Sequence, residues 1–158
     1  MTNSNQLAVD KKNIDTILVL DFGSQYTQLI ARRIRELDVF SIILPWDISK
    51  ERIAALNPTG IILSGGPESV TKNNTPRIPK IIFDLDVPIL GICYGMQTLA
   101  EQYGGQVTAS KTKEFGHASI TLEKASTLFH DFDAGSIIDV WMSHGDHVST
   151  LPDQFNLI

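Results

Sequence analysis

The only cysteine of the chain lies in a five-residue motif, Gly-Ile-Cys-Tyr-Gly at 91–95. An apolar run, 87–92, leads into this motif, and a helical pattern begins near Tyr94. At such a strand-to-helix junction, two glycines allow a sharp turn that lifts a nucleophile above the sheet. We therefore predict that Cys93 lies at a strained turn and that the helix N-terminus favours its reactive thiolate. The backbone N–H of Tyr94 is then placed to donate to an oxyanion.

A second glycine turn, Ser-Gly-Gly-Pro at 64–67, follows a predicted strand. Because glycine has no Cβ, its backbone N–H can come close to a developing negative charge. This turn and the Tyr94 N–H would together form an oxyanion hole with two donors. Neither glycine turn has the spacing of a phosphate-binding loop, so no sequence motif indicates that this chain binds a nucleotide.

A cysteine nucleophile usually needs a base, and the candidates are the four histidines. These are His117, His130, His144 and His147. His144 is the best candidate by position, because the run 143–147 closes an apolar strand. The alternative is that His144 is a surface residue, as a histidine at a strand end more often is. Geometry has to decide between these interpretations.

Apolar segments and short helical segments alternate along the first two thirds of the chain. Strands are predicted at 16–20, 40–44, 60–63 and 88–92, and helices at 26–37, 49–56, 80–83 and 94–103. Ser24 and Ser49 are candidate N-caps, and Pro79 suits a first helical position. The alternation predicts an α/β fold with a doubly wound, mostly parallel open sheet and helices on both faces. After residue 106, strands at 118–122 and 137–142 predict an antiparallel extension.

Ligands of open α/β sheets bind outside the carboxyl ends of the strands. Three polar or glycine-rich turns follow predicted strands, at 21–24, 64–67 and around Cys93. We therefore expect the site at this edge of the sheet.

Composition narrows the class of protein. The chain has 158 residues, 42% apolar and 20% charged, which suits one globular domain. A net charge of −5 and the lack of a basic cluster do not indicate nucleic-acid binding. One cysteine cannot form an internal disulfide, so we expect a reducing, cytoplasmic location. No apolar stretch is long enough to span a membrane, and residues 1–13 are interpreted as a tag-like or frayed lead-in.

Four segments resemble glutamine-hydrolysing GMP synthases, specifically their N-terminal amidotransferase domain. The segments are Asp-Phe-Gly-Ser-Gln-Tyr at 21–26, Leu-Ser-Gly-Gly-Pro-Glu-Ser-Val at 63–70, Gly-Ile-Cys-Tyr-Gly-Met-Gln at 91–97 and Trp-Met-Ser-His-Gly-Asp at 141–146. The second and third are shared by all class I, triad-type glutamine amidotransferases, and the other two favour GMP synthases. The resemblance covers residues 14–158.

The resemblance implies that Cys93 attacks the side-chain amide of glutamine while the N–H groups of Gly66 and Tyr94 hold the oxyanion. It also implies that Gln97, Gly145 and Asp146 bind the substrate. Ammonia would pass to a synthetase domain of the same parent enzyme, which uses ATP and Mg²⁺ to convert xanthosine monophosphate to GMP. This chain itself would need no cofactor or metal, and any homodimer would form through parts outside it.

One departure from the family pattern concerns the base. In the family, the catalytic histidine and glutamate lie in a later His-x-Glu segment, and no residues after Cys93 match it. The ATP loop of the synthetase half is also absent. We therefore expect a truncated amidotransferase domain that is inactive alone, in which His144 is a pocket residue and not the base. Two alternatives stay open, a cysteine hydrolase of DJ-1/PfpI type with a carboxylate beside the cysteine, and a binding module with a buried Cys93.

Overall fold

A computed structural model describes residues 15–158, without the side chains of residues 110–115 and 144. Its main sheet has four strands, β1 (Thr16–Asp21), β2 (Phe40–Pro45), β3 (Gly60–Leu63) and β4 (Ile89–Gly91). All three strand pairs are parallel, and the order across the sheet is β2-β1-β3-β4. The predicted strands are confirmed to within two residues. The predicted lead-in, 1–13, lies outside the described residues.

The helices between these strands make the fold doubly wound. They are α1 (Thr27–Arg35), α2 (Lys50–Leu56), α3 (Ile81–Asp84) and α4 (Tyr94–Gln102). The chain passes from β1 to one neighbour, β2, and then returns across β1 to β3. Because parallel crossovers are right-handed, this reversal places α1 and α2 on opposite faces of the sheet. The reversal also opens a crevice between the carboxyl ends of β1 and β3, where such folds bind their ligands.

The core fixes the strands that lead into this crevice. Leu18, Val19 and Leu20 of β1 are all fully buried, as expected for a central strand covered on both faces. Ile61 and Leu63 of β3 belong to the same apolar cluster as Leu18 and Leu20. The carboxyl ends of both strands therefore leave a close-packed interior, which holds the following turns in place.

Two long strands form the antiparallel extension, β5 (Gln106–Thr121) and β6 (Ile137–Thr150), with a short 3₁₀ helix (Thr127–Phe129) between them. The extension is confirmed, but the predicted strands at 118–122 and 137–142 cover only part of it. The run 143–147 does not close a strand, because it lies inside β6. Its serine, glycine and aspartate are typical of turns, whereas pairing of Asp146 and His147 with β5 continues the strand.

Helix starts were predicted with mixed success. Ser49 caps α2, since its Oγ accepts from the Arg52 N–H at 3.3 Å. Ser24 does not cap α1, because its Oγ accepts from the Tyr26 N–H at 3.1 Å in a local turn, and the helix begins only at Thr27. The predicted helix after Pro79 begins at Ile81, later than expected.

Candidate active site

The carboxyl ends of β1, β3 and β4 surround one cavity of about 310 Å³, and β6 borders it. Its walls come from residues that follow these three strands and from one serine of β6. They are Gly23, Ser24, Gln25, Tyr26, Gly65, Gly66, Pro67, Cys93 and Ser143. The turns at 21–24, 64–67 and around Cys93 thus meet at one cavity. This confirms the prediction that the site lies at the carboxyl ends of the strands.

Cys93 lies at a strained turn, which confirms the elbow. Its φ of 49° and ψ of −112° are sparsely populated for a residue with a side chain, and Cys93 is the N-cap residue of α4. The turn is closed by the Gly95 N–H, which donates to the carbonyl oxygens of Ile92 at 2.9 Å and Ser64 at 3.0 Å. The second of these bonds also ties the elbow to the glycine turn after β3.

The second glycine of the elbow is required by close approach. A Cβ on Gly95 would lie only 2.4 Å from the carbonyl oxygen of Leu63, which no side chain could occupy. The start of α4 therefore packs directly against the end of β3. This contact brings Cys93 beside the turn at 64–67.

The glycine turn after β3 is held by a buried serine. Ser64 is fully buried, and its Oγ accepts from the Phe22 N–H at 3.0 Å and donates to the Gly65 carbonyl at 2.9 Å. A Cβ on Gly66 would lie 2.6 Å from the Phe22 carbonyl oxygen, so the turn after β1 excludes any larger residue there. These contacts give the Gly66 N–H a fixed position at the cavity.

Two backbone donors border the cysteine. Within residues 15–158, neither the Gly66 N–H nor the Tyr94 N–H donates to a protein acceptor. The Tyr94 N–H belongs to the first turn of α4, where donors have no partner within the helix. The turn at 64–67 reaches the cysteine closely, since a methyl group on Gly65 would lie 3.5 Å from the Cys93 Cβ. This arrangement can stabilise an oxyanion formed by attack of the Cys93 sulfur.

Burial of the Cys93 thiol opposes the activation predicted from the helix N-terminus. Burial raises the pKa of the Cys93 thiol, because the half-buried sulfur is partly removed from water. The prediction of a favoured thiolate considered the helix N-terminus alone and omitted this desolvation. In the described part of the chain no ion pair or hydrogen bond of the Cys93 side chain opposes it. The thiol therefore needs a base.

Three of the four histidines are excluded as that base by their positions. His117 pairs with Asp139 and His130 with Asp131, each at 3.3 Å on the surface, and exposed His147 lies 3.3 Å from Thr108 Oγ1. None of them lines the cavity around Cys93. The His144 side chain lies outside the described residues, so its role stays a prediction.

The cavity also bears on the two alternative functions. No carboxylate belongs to the described residues that line it, so the neighbour expected of a DJ-1/PfpI-type hydrolase is not found in that part of its walls. Cys93 borders an open cavity, which is unlike the buried cysteine expected of a binding module. The geometry therefore favours neither alternative.

The Tyr94 side chain is buried in the core and has a structural role. The side chain is 2% exposed, its hydroxyl donates to the Pro76 carbonyl at 2.6 Å, and its ring centroid lies 5.5 Å from that of Phe22. These contacts anchor the helix start that carries the cysteine. The backbone N–H of Tyr94, and not its phenol, is the group available to a substrate.

Gln97 and Asp146 contact each other, although neither of them lines the cavity around Cys93, so their role as substrate residues stays a prediction. Gln97 is 4% exposed, and its Nε2 donates to the Asp146 carbonyl at 2.9 Å. The Asp146 carboxylate accepts a short hydrogen bond from the hydroxyl of Ser69. Sequence reasoning did not single out Ser69 or Ser143, because a serine after a glycine turn or in a strand carries no signal of its own.

Two other kinds of feature are absent from residues 15–158. Among the side chains that the structure describes, no cluster of three or more cysteine, histidine or acidic groups could hold a metal ion. No helix in the same range is both long and apolar enough to cross a membrane.

Comparison with known proteins identifies the class of this fold and site. The family model for class I glutamine amidotransferases matches residues 18–158, which is most of the chain. The chain belongs to the class I glutamine amidotransferase family.

Individual relatives are more specific. The chain is 57% identical over 148 residues to a glutamine-hydrolysing GMP synthase of Teredinibacter turnerae and 55% identical over 145 residues to that of Colwellia psychrerythraea. These matches cover 90% and 88% of this chain, but the chain spans only about 28% of the length of either relative.

Solved structures agree with this assignment. A crystal structure from Thermoplasma acidophilum, provisionally described as that of a GMP synthase subunit, superposes with a TM-score of 0.77 and 35% identity. The match covers 90% of this chain and 71% of that one. A glutamine amidotransferase of Methylobacillus flagellatus matches with a TM-score of 0.65 at 20% identity over 88% of this chain and 58% of that one, which shows the shared fold.

Proposed function

We propose that this chain is the glutamine-hydrolysing part of a GMP synthase and that Cys93 is its nucleophile. The observation that carries the proposal is the strained Cys93 turn, which faces a cavity shared with Gly66. The identity to glutamine-hydrolysing GMP synthases supports glutamine as the substrate.

The chemistry begins at the sulfur. The Cys93 thiolate attacks the side-chain amide carbon of glutamine, and the amide oxygen takes up the negative charge. The N–H groups of Gly66 and Tyr94 donate to that oxygen. When the carbon–nitrogen bond breaks, the nitrogen gains a proton and leaves as ammonia, and a γ-glutamyl thioester remains on Cys93. Water then attacks the thioester, releasing glutamate and restoring the thiol.

Proton transfer is the step for which the described walls of the cavity offer no group. A base must remove the thiol proton, whose pKa is raised by burial, and an acid must protonate the departing nitrogen. None of the lining residues that the structure describes is a histidine or a carboxylate. We therefore expect the 158 residues alone to have almost no glutaminase activity, because loss of one triad member typically costs on the order of 10⁴ to 10⁶ in kcat.

The partner of this reaction is a synthetase domain of the same parent enzyme. That domain would bind ATP and Mg²⁺, adenylate xanthosine monophosphate and use the released ammonia to form GMP in purine biosynthesis. No cofactor is assigned to the chain described here. A cytoplasmic location and a homodimer formed through other parts of the parent belong to the same proposal.

The test of the nucleophile uses a full-length parent enzyme that contains this chain. Cys93→Ala should abolish GMP formation from glutamine and spare GMP formation from added ammonia, because the thiol serves only to release ammonia. The paired assay is its own control for folding and for synthetase activity. Continued glutamine-driven synthesis by the variant would refute the role of Cys93.

A second assay tests the need for an outside base. Glutamate release is measured for the 158-residue chain and for a protein extended through the family's His-x-Glu segment. We expect activity only from the extended protein. Equal activity would mean that the base lies within these residues, and His144 would become the leading candidate.

A further inference from the structure

Asp146 is held from two sides by the elements that carry the oxyanion donors. Its carboxylate accepts from Ser69, three residues after Gly66, and its carbonyl accepts from Gln97, four residues after Cys93. The hairpin strand β6 is thus bonded to both halves of the site. We propose that Ser69 is a positioning residue, which sets the Gly145–Asp146 backbone against Cys93 for the amino-acid end of glutamine.

The Ser69 hydroxyl has a single orientation in this network. It carries one hydrogen, which the Asp146 carboxylate accepts. The Thr71 hydroxyl, 2.7 Å away, must then donate to the Ser69 oxygen, and the Thr71 N–H also donates to it at 3.3 Å. With two donors on its oxygen and one acceptor for its hydrogen, the serine cannot rotate without losing bonds. A hydroxyl fixed in this way can hold a charged partner firmly.

The position of Asp146 in its strand explains why this bond is needed. Asp146 is paired with Ala109 of β5, and the next pair towards the hairpin tip joins His144 to Glu114. Between these pairs the register shifts, and in the described part of the hairpin Gly145 has no ladder partner. A strand at such an irregularity is held less tightly by its neighbour. The contacts of Asp146 with Ser69 and Gln97 therefore take over the anchoring of this segment.

This inference rests on the proposed function, since it concerns the binding of glutamine. It differs from that proposal because Ser69 contacts Asp146 and does not line the cavity. Loss of the Ser69 hydroxyl should therefore weaken recognition of the amino-acid end of the substrate and leave the reactivity of the sulfur unchanged.

The experiment compares two alkylating reagents on the 158-residue chain. One is a chloroketone analogue of glutamine that keeps the α-amino and α-carboxylate groups, and the other is iodoacetamide, which lacks them. In both reactions the Cys93 sulfur displaces a halide and forms a thioether. Neither reaction requires protonation of a leaving nitrogen, so the test can be run on this chain without the family's His-x-Glu segment.

The central variant is Ser69→Ala. For the chloroketone, the concentration that gives half-maximal labelling should rise about tenfold, the effect of losing one charge-assisted hydrogen bond. The iodoacetamide rate should stay within about twofold. Ser69→Thr, which keeps the hydroxyl, should label like the unchanged chain.

A matched control lies on the same hairpin. Ser119 also donates to an aspartate of β6, Asp139, at 2.8 Å, but this pair is exposed and does not line the cavity. Ser119→Ala should leave labelling by both reagents unchanged.

The outcomes separate the two proposals. If the unchanged chain shows neither saturation with the chloroketone nor protection by glutamine, the proposed function fails and the role of Ser69 fails with it. If the unchanged chain saturates and Ser69→Ala behaves identically, only the role of Ser69 is overturned. If Ser69→Ala also changes the rate of Cys93 alkylation by iodoacetamide, the substitution has disturbed the Cys93 turn itself. That result would also overturn the positioning role of Ser69.

Discussion

Gln97 and Asp146 are joined by a hydrogen bond of 2.9 Å from the amide Nε2 to the backbone carbonyl, although 49 residues separate them. The bond links the helix that carries Cys93 to the strand expected to hold the amino-acid end of glutamine. We therefore expect Gln97 to hold this strand in place through Asp146, besides any direct contact with substrate.

Gln97→Met keeps the length of the side chain and removes the donor. It should lower the free energy of unfolding by about 1–2 kcal/mol, because a part-buried carbonyl loses its partner. In a full-length parent, kcat/KM for glutamine should fall by a factor that corresponds to a loss of about 1–3 kcal/mol in transition-state stabilisation, mainly through a higher KM. Urea unfolding and steady-state kinetics measure the two effects. Gln28→Met, at an exposed position of α1, is the control, and equal results for the two variants would refute the assignment.

Adjacent glycines offer a paired test of the turn after β3. Gly66→Ala would place a methyl group 2.6 Å from the Phe22 carbonyl, whereas the nearest atoms to a methyl group on Gly65 are at 3.5 Å. We expect Gly66→Ala to destabilise the fold by about 1–3 kcal/mol, as overpacking does. Gly65→Ala should change the unfolding free energy by less than about 0.5 kcal/mol. The midpoints of denaturant unfolding measure the stability of both variants. Similar losses of stability at Gly65 and Gly66 would contradict the geometry of the turn.

Tyr94→Phe separates the side chain of this residue from its backbone. The variant removes the hydroxyl that donates to the Pro76 carbonyl at 2.6 Å, and should cost about 1–1.5 kcal/mol of stability. The oxyanion donor is the backbone N–H, so labelling of Cys93 by the glutamine chloroketone should persist. Tyr103→Phe, at a tyrosine that does not line the cavity, serves as the control. Loss of labelling without loss of stability would assign chemistry to the phenol instead.

The pH dependence of Cys93 tests its environment. Because burial raises the pKa of the thiol, the iodoacetamide rate should reach half its maximum above about pH 8.5, the midpoint of an ordinary cysteine. The folded state then keeps the thiol proton to a higher pH than the unfolded chain. The free energy of unfolding should consequently fall as pH rises above about 8.5, and Cys93→Ala should remove this component. A midpoint below that of a short cysteine peptide would mean that the helix N-terminus outweighs burial.

Much of the fold could be predicted because its signals are local. The four parallel strands and the elbow were readable from apolar runs that end in turns, as between 87–92 and Cys93. Ser49 indicated the start of α2 for the same reason, since a cap bonds within three residues of itself. The strained backbone at Cys93 followed from its flanking glycines and the strand-to-helix change, and the structure confirms it.

Other features depend on residues that are distant in the sequence. The strand order β2-β1-β3-β4 brings the turns after β1 and β3 together, and no local pattern encodes that adjacency. The raised thiol pKa results from burial by neighbours that only the folded chain supplies. The full length of β6 was hidden for a similar reason, because pairing with β5 overrides the turn preference of Gly145 and Asp146.

The sequence by itself determined the candidate nucleophile and the class of sheet, since both are encoded in adjacent residues as periodicity, glycines and a lone cysteine. Only the tertiary structure decided what surrounds that group. The bond from Ser69 to Asp146 and the entry of Ser143 into the cavity join segments that are more than 45 residues apart. The physical reason is that such contacts are selected by the packing of whole elements, which fixes side chains in space independently of their separation along the chain.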